Sequence, residues 1–469
     1  MNRKNEIIRS YKAHYNFAMG KLFDVAGCPM EGHGKGCYIY DDRGNAFLDW
    51  CAGFGVFSLG HGNEDIRRSI MEQADRLTLL PPGYKHPMQQ RFIESFTHLL
   101  PAELDQIMIA GSGSEACEYA LRTVLLNRRG RTKIIAARNS YHGKTLGALC
   151  VMGQPHLRDP FGPLNIDVEF VKYGDTGKLE EKIDCNTMAV FLEPILGGGY
   201  LETPAAGYLK AAADICSRHG ALMVLDEVQT GFGRTGSMFA FEQEQVTPDI
   251  LITSKTISGG FIPIAAVAVR RGLSTSLPFL ENDPRHFSPS WQGSVLASTA
   301  ASASIDYIIS NDIPRQVSEK GSYLRQRLME MVERFPKLAM DVRGRGLMLG
   351  IRLKSVLIEH ALWLQLLSRN VVGGLSTNSV TRTPVLRIFP PLTITYAEMD
   401  EGLNMLEASF YSLNQWPGLI LDMANKAFSY RHYIGSPLMR AGCSLFKIDL
   451  SPKTRQHNIP ATPVSGPFR

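Results

Sequence analysis

The stretch ALMVLDEVQTGFGRTGSMFAFEQEQVTPDILITSKTISGGFIPIAAVAV, from Ala221 to Val269, decides how the chain is read. Its two short apolar runs, residues 221–225 and 250–253, are bounded by polar and Gly-containing segments. They read as strands buried on both faces, the habit of a parallel sheet. The first leads into an acid, Asp226, and the second into a lysine, Lys255. Open α/β sheets bind ligands outside the carboxyl ends of their strands. The two side chains are therefore candidates for one site.

The strand, turn, helix rhythm extends upstream. QIMIA (106–110) is a strand, and GSGSEACEYALRTVLL is a Gly-rich turn entering an amphipathic helix. Gly111, Ser112, Gly113 and Ser114 place small residues and free N–H groups at a helix N-terminus, which suits a phosphate. A plain N-cap by Ser112 or Ser114 explains the same pattern. Residues 133–137 form the next strand, followed by RNSYHGKT. Its Gly-Lys-Thr is not a P-loop, because Arg138 stands where that motif needs its first glycine. Tyr141 and His142 instead offer aromatic rings that could cover a planar ligand, or simply join the core. Residues 188–192 end in Glu193, Pro194 and the Gly-rich ILGGGY, and a helix over 207–219 leads back to Ala221. Alternating elements over 100–270 predict a mainly parallel sheet.

The flanks read differently. Residues 1–36 read as an irregular arm whose GHGKG (32–36) superficially suggests a nucleotide loop. CYIYDDRGNAFLDW follows it, alternating about a turn at 41–45, and so predicts a β-hairpin where a dinucleotide loop needs a helix. Asn63 can cap a helix with Ile66, Ile70 and Leu77 on one face. Beyond 269 the pattern is helical to about 330, then MDVRGRGLMLGIRL reads as strand, turn, strand about Gly344 and Gly346. VLRIFPPLTIT carries Arg387, and Thr395 caps a last helix. The expected division is an arm and hairpin (1–60), a large ligand-binding domain (61–310), a small α+β C-terminal domain (311–415) and a tail (416–469) with no evident role.

Composition bounds the function. With 469 residues, 44% apolar and 20% charged, the chain is an ordinary globular protein. Its net charge of +5 is scattered, so a nucleic-acid partner is not expected. No apolar run suits a membrane span, and the polar N-terminus does not suit a signal peptide. Eight dispersed cysteines without a CxxC pair suit reduced thiols in the cytoplasm and no metal site.

An anion cradle, an aromatic cover, an acid and a lysine at one sheet edge together match pyridoxal 5'-phosphate. A lysine takes the aldehyde as a Schiff base, and a carboxylate keeps the pyridine nitrogen protonated. The motifs LDEVQTGFGRTG and PDILITSK, with GSGSEA, YHGKT, EPI, GRGLMLG and LRIFPPLTIT in order, carry a resemblance over about residues 15–412. The sequence resembles class III pyridoxal-phosphate aminotransferases of fold type I, the group of ornithine, acetylornithine, 4-aminobutyrate and putrescine aminotransferases. The fold class implied is a mainly parallel α/β sheet in a large domain. A smaller α+β domain would be built from both chain ends.

The resemblance also implies roles. Lys255 would carry the cofactor and shuttle a proton, and Asp226 would pair with the pyridine nitrogen. Gln229 would reach the ring hydroxyl side with Glu193 holding that network. Tyr141 would stack on the ring, next to His142, and the Ser112–Gly113–Ser114 turn would hold the phosphate. Ser290 stands where such enzymes usually have a threonine reaching the partner's phosphate, which implies a homodimer with sites at its interface. Arg387 aligns with the arginine that grips a substrate carboxylate, and Phe54 falls among the substrate-selecting positions.

Two departures matter. Ornithine-type members read EPxQGE, whose last glutamate can neutralise that arginine; here Leu196 and Gly198 stand at those places. EPIL instead resembles the decarboxylating dialkylglycine branch. AGFG, however, puts Phe54 where that branch has a glutamine, which argues against decarboxylation. The expected activity is amino transfer between a primary, terminal amine or amino acid and a 2-oxo acid or aldehyde. Decarboxylation-coupled transamination, an aminomutase and a catalytically silent cofactor-binding protein are the alternatives.

Overall fold

In the computed structural model, residues 3–15, 31–80, 84–273, 294–376 and 384–416 are described. The chain starts with a helix, Arg3–Ser10, and then three antiparallel strands: β1 (Glu31–Lys35), β2 (Tyr38–Asp41) and β3 (Ala46–Asp49). The expected hairpin is β2–β3. Its turn is closed by Asp41, whose carboxylate accepts from the N–H groups of Arg43 (2.9 Å) and Asn45 (2.8 Å). The arm is not irregular throughout, because part of GHGKG forms β1. A Cβ at Gly32 would lie 2.4 Å from the Tyr40 carbonyl oxygen, so glycine there permits the close approach of β1 to β2.

Seven strands then build the central sheet: β4 (Leu104–Ala110), β5 (Lys133–Ala137), β6 (Asp167–Val171), β7 (Thr187–Leu192), β8 (Leu222–Asp226), β9 (Ile250–Thr253) and β10 (Ala265–Arg270). Their order is β4-β10-β9-β8-β7-β5-β6. Every residue of β7, β8 and β9 is buried, as a sheet covered on both faces requires. Only β10 runs against its neighbours. The link 254–264 is too short for the crossover that a parallel return needs, so the chain doubles back and pairs antiparallel. Gly259 and Gly260, at φ 60° and 79°, make that reversal.

The chain finishes with β11 (Ala339–Arg345), β12 (Met348–Leu353), β13 (Val371–Val372) and β14 (Val385–Ile388). Strands β11, β12 and β14 form a three-stranded antiparallel sheet, while β13 adds in parallel to β3 of the N-terminal hairpin. Thr395 starts the helix Tyr396–Asn414 with a full capping box to Glu398. Asn63 caps Glu64–Ala74 as expected, with Ile66 buried and Ile70 packed on the core. Leu77 does not share that face: it lies beyond the helix end and is exposed.

Helix Tyr396–Asn414 closes over Trp50, which is fully buried next to β3. The contact depends on Gly402, where a Cβ would meet Trp50 Cζ2 at 1.9 Å. In an exposed helix interior, Gly→Ala ordinarily stabilises by roughly 0.5–1 kcal/mol. Here overpacking reverses the sign. Gly402→Ala is expected to destabilise by at least about 1–3 kcal/mol, read as a lowered urea midpoint with unchanged slope.

Candidate active site

Lys255 and Asp226 meet because β8 and β9 are parallel neighbours in register, with Asp226 opposite Ile252. Lys255 lies just past β9 with φ 51°, a left-handed conformation that costs an ordinary residue roughly 1–2 kcal/mol. That backbone sends its side chain into a cavity of about 650 Å³ at the carboxyl edge of the sheet. Burial holds the Lys255 amine down to about 8; Asp226 opposes this and Arg387 reinforces it. A neutral, nucleophilic amine is thus accessible near physiological pH.

Asp226 is held from two sides. One carboxylate oxygen accepts from the Val228 N–H at 3.0 Å, and the other is 2.9 Å from His142 Nδ1. The His142 side chain is fully buried, borders the cavity and spends its Nδ1 on Asp226. Burial pushes the imidazole down, but the hydrogen bond and charge of Asp226 outweigh it and His142 holds its proton above the ordinary value. Tyr141 is the ring that remains exposed to the cavity. Its backbone N–H donates to Glu193 Oε1 at 2.8 Å, and Glu193 Oε2 accepts from Gly197 N–H at 2.9 Å. Burial raises the Glu193 carboxyl above the usual range, with His142 and these N–H groups opposing.

Beside Glu193, Gln229 Oε1 is buried without a partner among the described residues. The glycines of EPILGG make room here. A Cβ at Gly197 would lie 1.9 Å from that oxygen, and one at Gly198 would lie 2.3 Å from Gln154 Nε2. Gln154 is itself buried and donates to the carbonyls of Gly198 (3.2 Å) and Asn139 (3.3 Å). The position that carries glutamate in ornithine-type sequences is thus occupied in space by Gln154.

At the head of helix Gly113–Asn127 the residues of the small-residue turn take different places. Ser112 is the N-cap, its Oγ accepting from the Glu115 N–H at 3.2 Å, and it does not line the cavity. Gly113 and Ser114 do line it. Arg387 enters from β14, 5% exposed, its Nε and Nη2 both donating to the Leu375 carbonyl. Burial holds its guanidinium down to about 10. The Phe54 ring lies over it, 4.1 Å from Cζ. Ser290 lies outside the described residues. The structure also adds Lys144, Gln154 and His156 to the lining. Lys144 lies within YHGKT and so within a motif the sequence displays, whereas Gln154 precedes and His156 belongs to a single helical turn, Pro155–Arg158, that no sequence pattern announces. A larger groove of about 960 Å³, between Thr235 and Arg343, contains none of the candidate residues, so size alone does not mark this site.

Residues 29–410 match the family model described as aminotransferase class-III. Over 385 residues the chain is 35% identical to the putrescine aminotransferase of Pectobacterium atrosepticum, covering 80% of this chain and 81% of that one. It is 35% identical over 375 residues to the acetylornithine aminotransferase of Methanosarcina acetivorans, covering 80% and 90%. A solved structure of the Toxoplasma gondii ornithine aminotransferase, with pyridoxal phosphate partially occupying its active site, matches with a TM-score of 0.75. That match has 26% identity over 91% of this chain and 100% of that one. The chain belongs to the class III aminotransferases, pyridoxal-phosphate-dependent enzymes of fold type I. The residues present fit that cofactor: an accessible amine, a braced carboxylate, the orphaned Gln229 oxygen and a small-residue turn share one cavity.

Only the neutral amine attacks an aldehyde. The rate at which apoenzyme takes up pyridoxal phosphate is therefore expected to rise with pH through about 8 and level off above it. Stopped-flow absorbance across pH 6.5–10 checks this; a rise continuing to the ordinary lysine range near 10.4 contradicts it.

Proposed function

We propose that this enzyme transfers the amino group of a primary, terminal amine to a 2-oxo acid or aldehyde. The observation that carries the reading is Lys255 and Asp226 at adjacent strand ends, sharing one cavity with the buried cation Arg387. The relatives above are named for putrescine, acetylornithine and ornithine, all of which carry a terminal amine. Bound pyridoxal phosphate supplies an electron sink for the carbanion formed at the substrate carbon.

The protein's own groups do the rest. Lys255 would hold the cofactor through its aldehyde, and its amine, when free, would move the proton to and from the substrate carbon. Asp226 keeps a proton at the pyridine nitrogen, and His142 positions Asp226. Tyr141 covers the ring and excludes water from one face. Glu193, through the Tyr141 and Gly197 amides, positions the wall beside Gln229, which would hold the hydroxyl side of the cofactor. Gly113 and Ser114 hold the phosphate, with Lys144 adding positive charge at the same turn. Arg387 grips the acceptor carboxylate bidentately through donors that Leu375 leaves free. A homodimer with its sites at the interface, completed there by Ser290, and a cytoplasmic location belong to the same reading.

Purified holoenzyme mixed with diamines and ω-amino acids should lose the visible absorption of its Lys255-bound cofactor. No response to any amine would sink the reading, and carbon dioxide release would assign decarboxylation instead. Lys255→Ala should lower turnover by about 10²–10⁴ or more, the usual worth of a positioned proton-transfer group. Arg387→Gln should raise KM for 2-oxo acids by about 10–100-fold, as expected for losing a charged hydrogen bond, with little change in amine half-reaction rates.

A further inference from the structure

Arg387 is a buried cation without an ion-pair partner among the described residues. Glu359 is near enough for its charge to be felt, but its carboxylate is committed to the backbone N–H and hydroxyl of Ser376. Two of the five guanidinium N–H groups converge on the Leu375 carbonyl, and the others meet no hydrogen-bond acceptor among the described residues. A buried charge ordinarily requires a charged or hydrogen-bonded partner. What faces Arg387 instead is the ring of Phe54.

That ring is held in place at a conformational cost. Ala52, Gly53, Phe54 and Gly55 all have positive φ, at 44°, 57°, 57° and 96°. For a residue as bulky as Phe54 this is a disfavoured region, occupied only where the surroundings over-determine it. Gly374 supplies part of the surroundings. A Cβ there would lie 3.1 Å from Phe54 Cε1 and 3.2 Å from Arg387 Cβ, so its absence lets ring and guanidinium meet.

A ring and an acid would serve this guanidinium differently. An acid engages N–H groups and must withdraw before a carboxylate can bind. A ring offers its π cloud and takes no N–H. We propose that Phe54 is the specificity-determining residue of this cavity: by stacking on Arg387 it lets one stationary guanidinium accept both carboxylate-bearing and uncharged substrate chains. The inference rests on the reading of this cavity as the substrate site of a transaminase.

Pentanoate and pentanamide, equal in length and different in charge, test it by titration calorimetry into cofactor-loaded enzyme. The wild type should bind the two within about tenfold of each other, and Phe54→Leu should widen the preference for pentanoate by about a further tenfold. Phe54→Tyr, which keeps the ring, should restore the wild-type ratio. A ratio unchanged in Phe54→Leu overturns the proposal, as does Phe54→Tyr behaving like Phe54→Leu. Phe54→Met serves as a second ringless variant if the melting curve shows that leucine unfolds the turn. Absence of any amine half-reaction in the wild type would count against the transaminase reading instead, and the binding ratio still judges the stack.

Discussion

The parallel pairing of β8 with β9 is the constraint on which the site depends. It brings Asp226 and Lys255, 29 positions apart in the chain as their numbering shows, to the same edge of the sheet. Antiparallel pairing would have sent the two chain ends to opposite edges. The strands are short, apolar up to their last residues and buried throughout, so they are stable only when covered on both faces, and the crossover elements provide that cover. The cavity then forms beyond the strand ends, where side chains of polar residues no longer have to be buried in the sheet.

The motif around Asp226 divides its labour between chemistry and scaffold. Asp226 faces the cavity, while its neighbour Glu227 is buried on the other side of the strand end, as alternation requires. Glu227 accepts from the N–H groups of Ala240 (2.8 Å) and Phe241 (2.9 Å) and from Thr230 Oγ1 (2.8 Å). Its burial still pushes its carboxyl up to about 7. Arg234, from the same motif, is buried and donates to the carbonyls of Leu347 (3.0 Å) and Pro390 (2.6 Å) and to Ser58 Oγ (2.8 Å). One arginine thereby ties the segment after β8 to the β11–β12 turn, to the segment after β14 and to the segment after β3. Residues that look catalytic by type can be structural by partner, and only the partners tell them apart.

Buried charge is handled in the cavity mainly by neutral groups. Glu193 has two amides and Arg387 has a carbonyl and a ring, while Asp226 has an amide and, as the exception, an imidazole that its charge helps to keep protonated. Amides, carbonyls and rings stabilise a charge without cancelling it, so each group keeps part of its field for a ligand. The same environment lowers Lys255 toward neutrality, because burial penalises the ammonium more than Asp226 stabilises it.

Much of this was legible in the residues themselves. The apolar runs, the N-caps at Asn63 and Thr395, the hairpin turn at Asp41 and the placement of acid and lysine at strand ends follow from local rules of burial and backbone conformation. Motif likeness identified the family because spacing between cofactor-contacting groups is dictated by the cofactor. What the sequence could not decide depends on contacts between distant segments. The motif brings His142 to the strand end, but nothing in it shows that the imidazole braces Asp226, 84 positions away. Gly198 read as a missing glutamate, but its space is filled by Gln154, 44 positions away. Phe54 and Arg387 meet only because a left-handed turn and Gly374 allow it. Periodicity and propensity are properties of neighbours in the chain, so they determined the strands and the edge where the site lies. Which side chain supports which other is a matter of close packing between remote segments, and that was left to the tertiary structure.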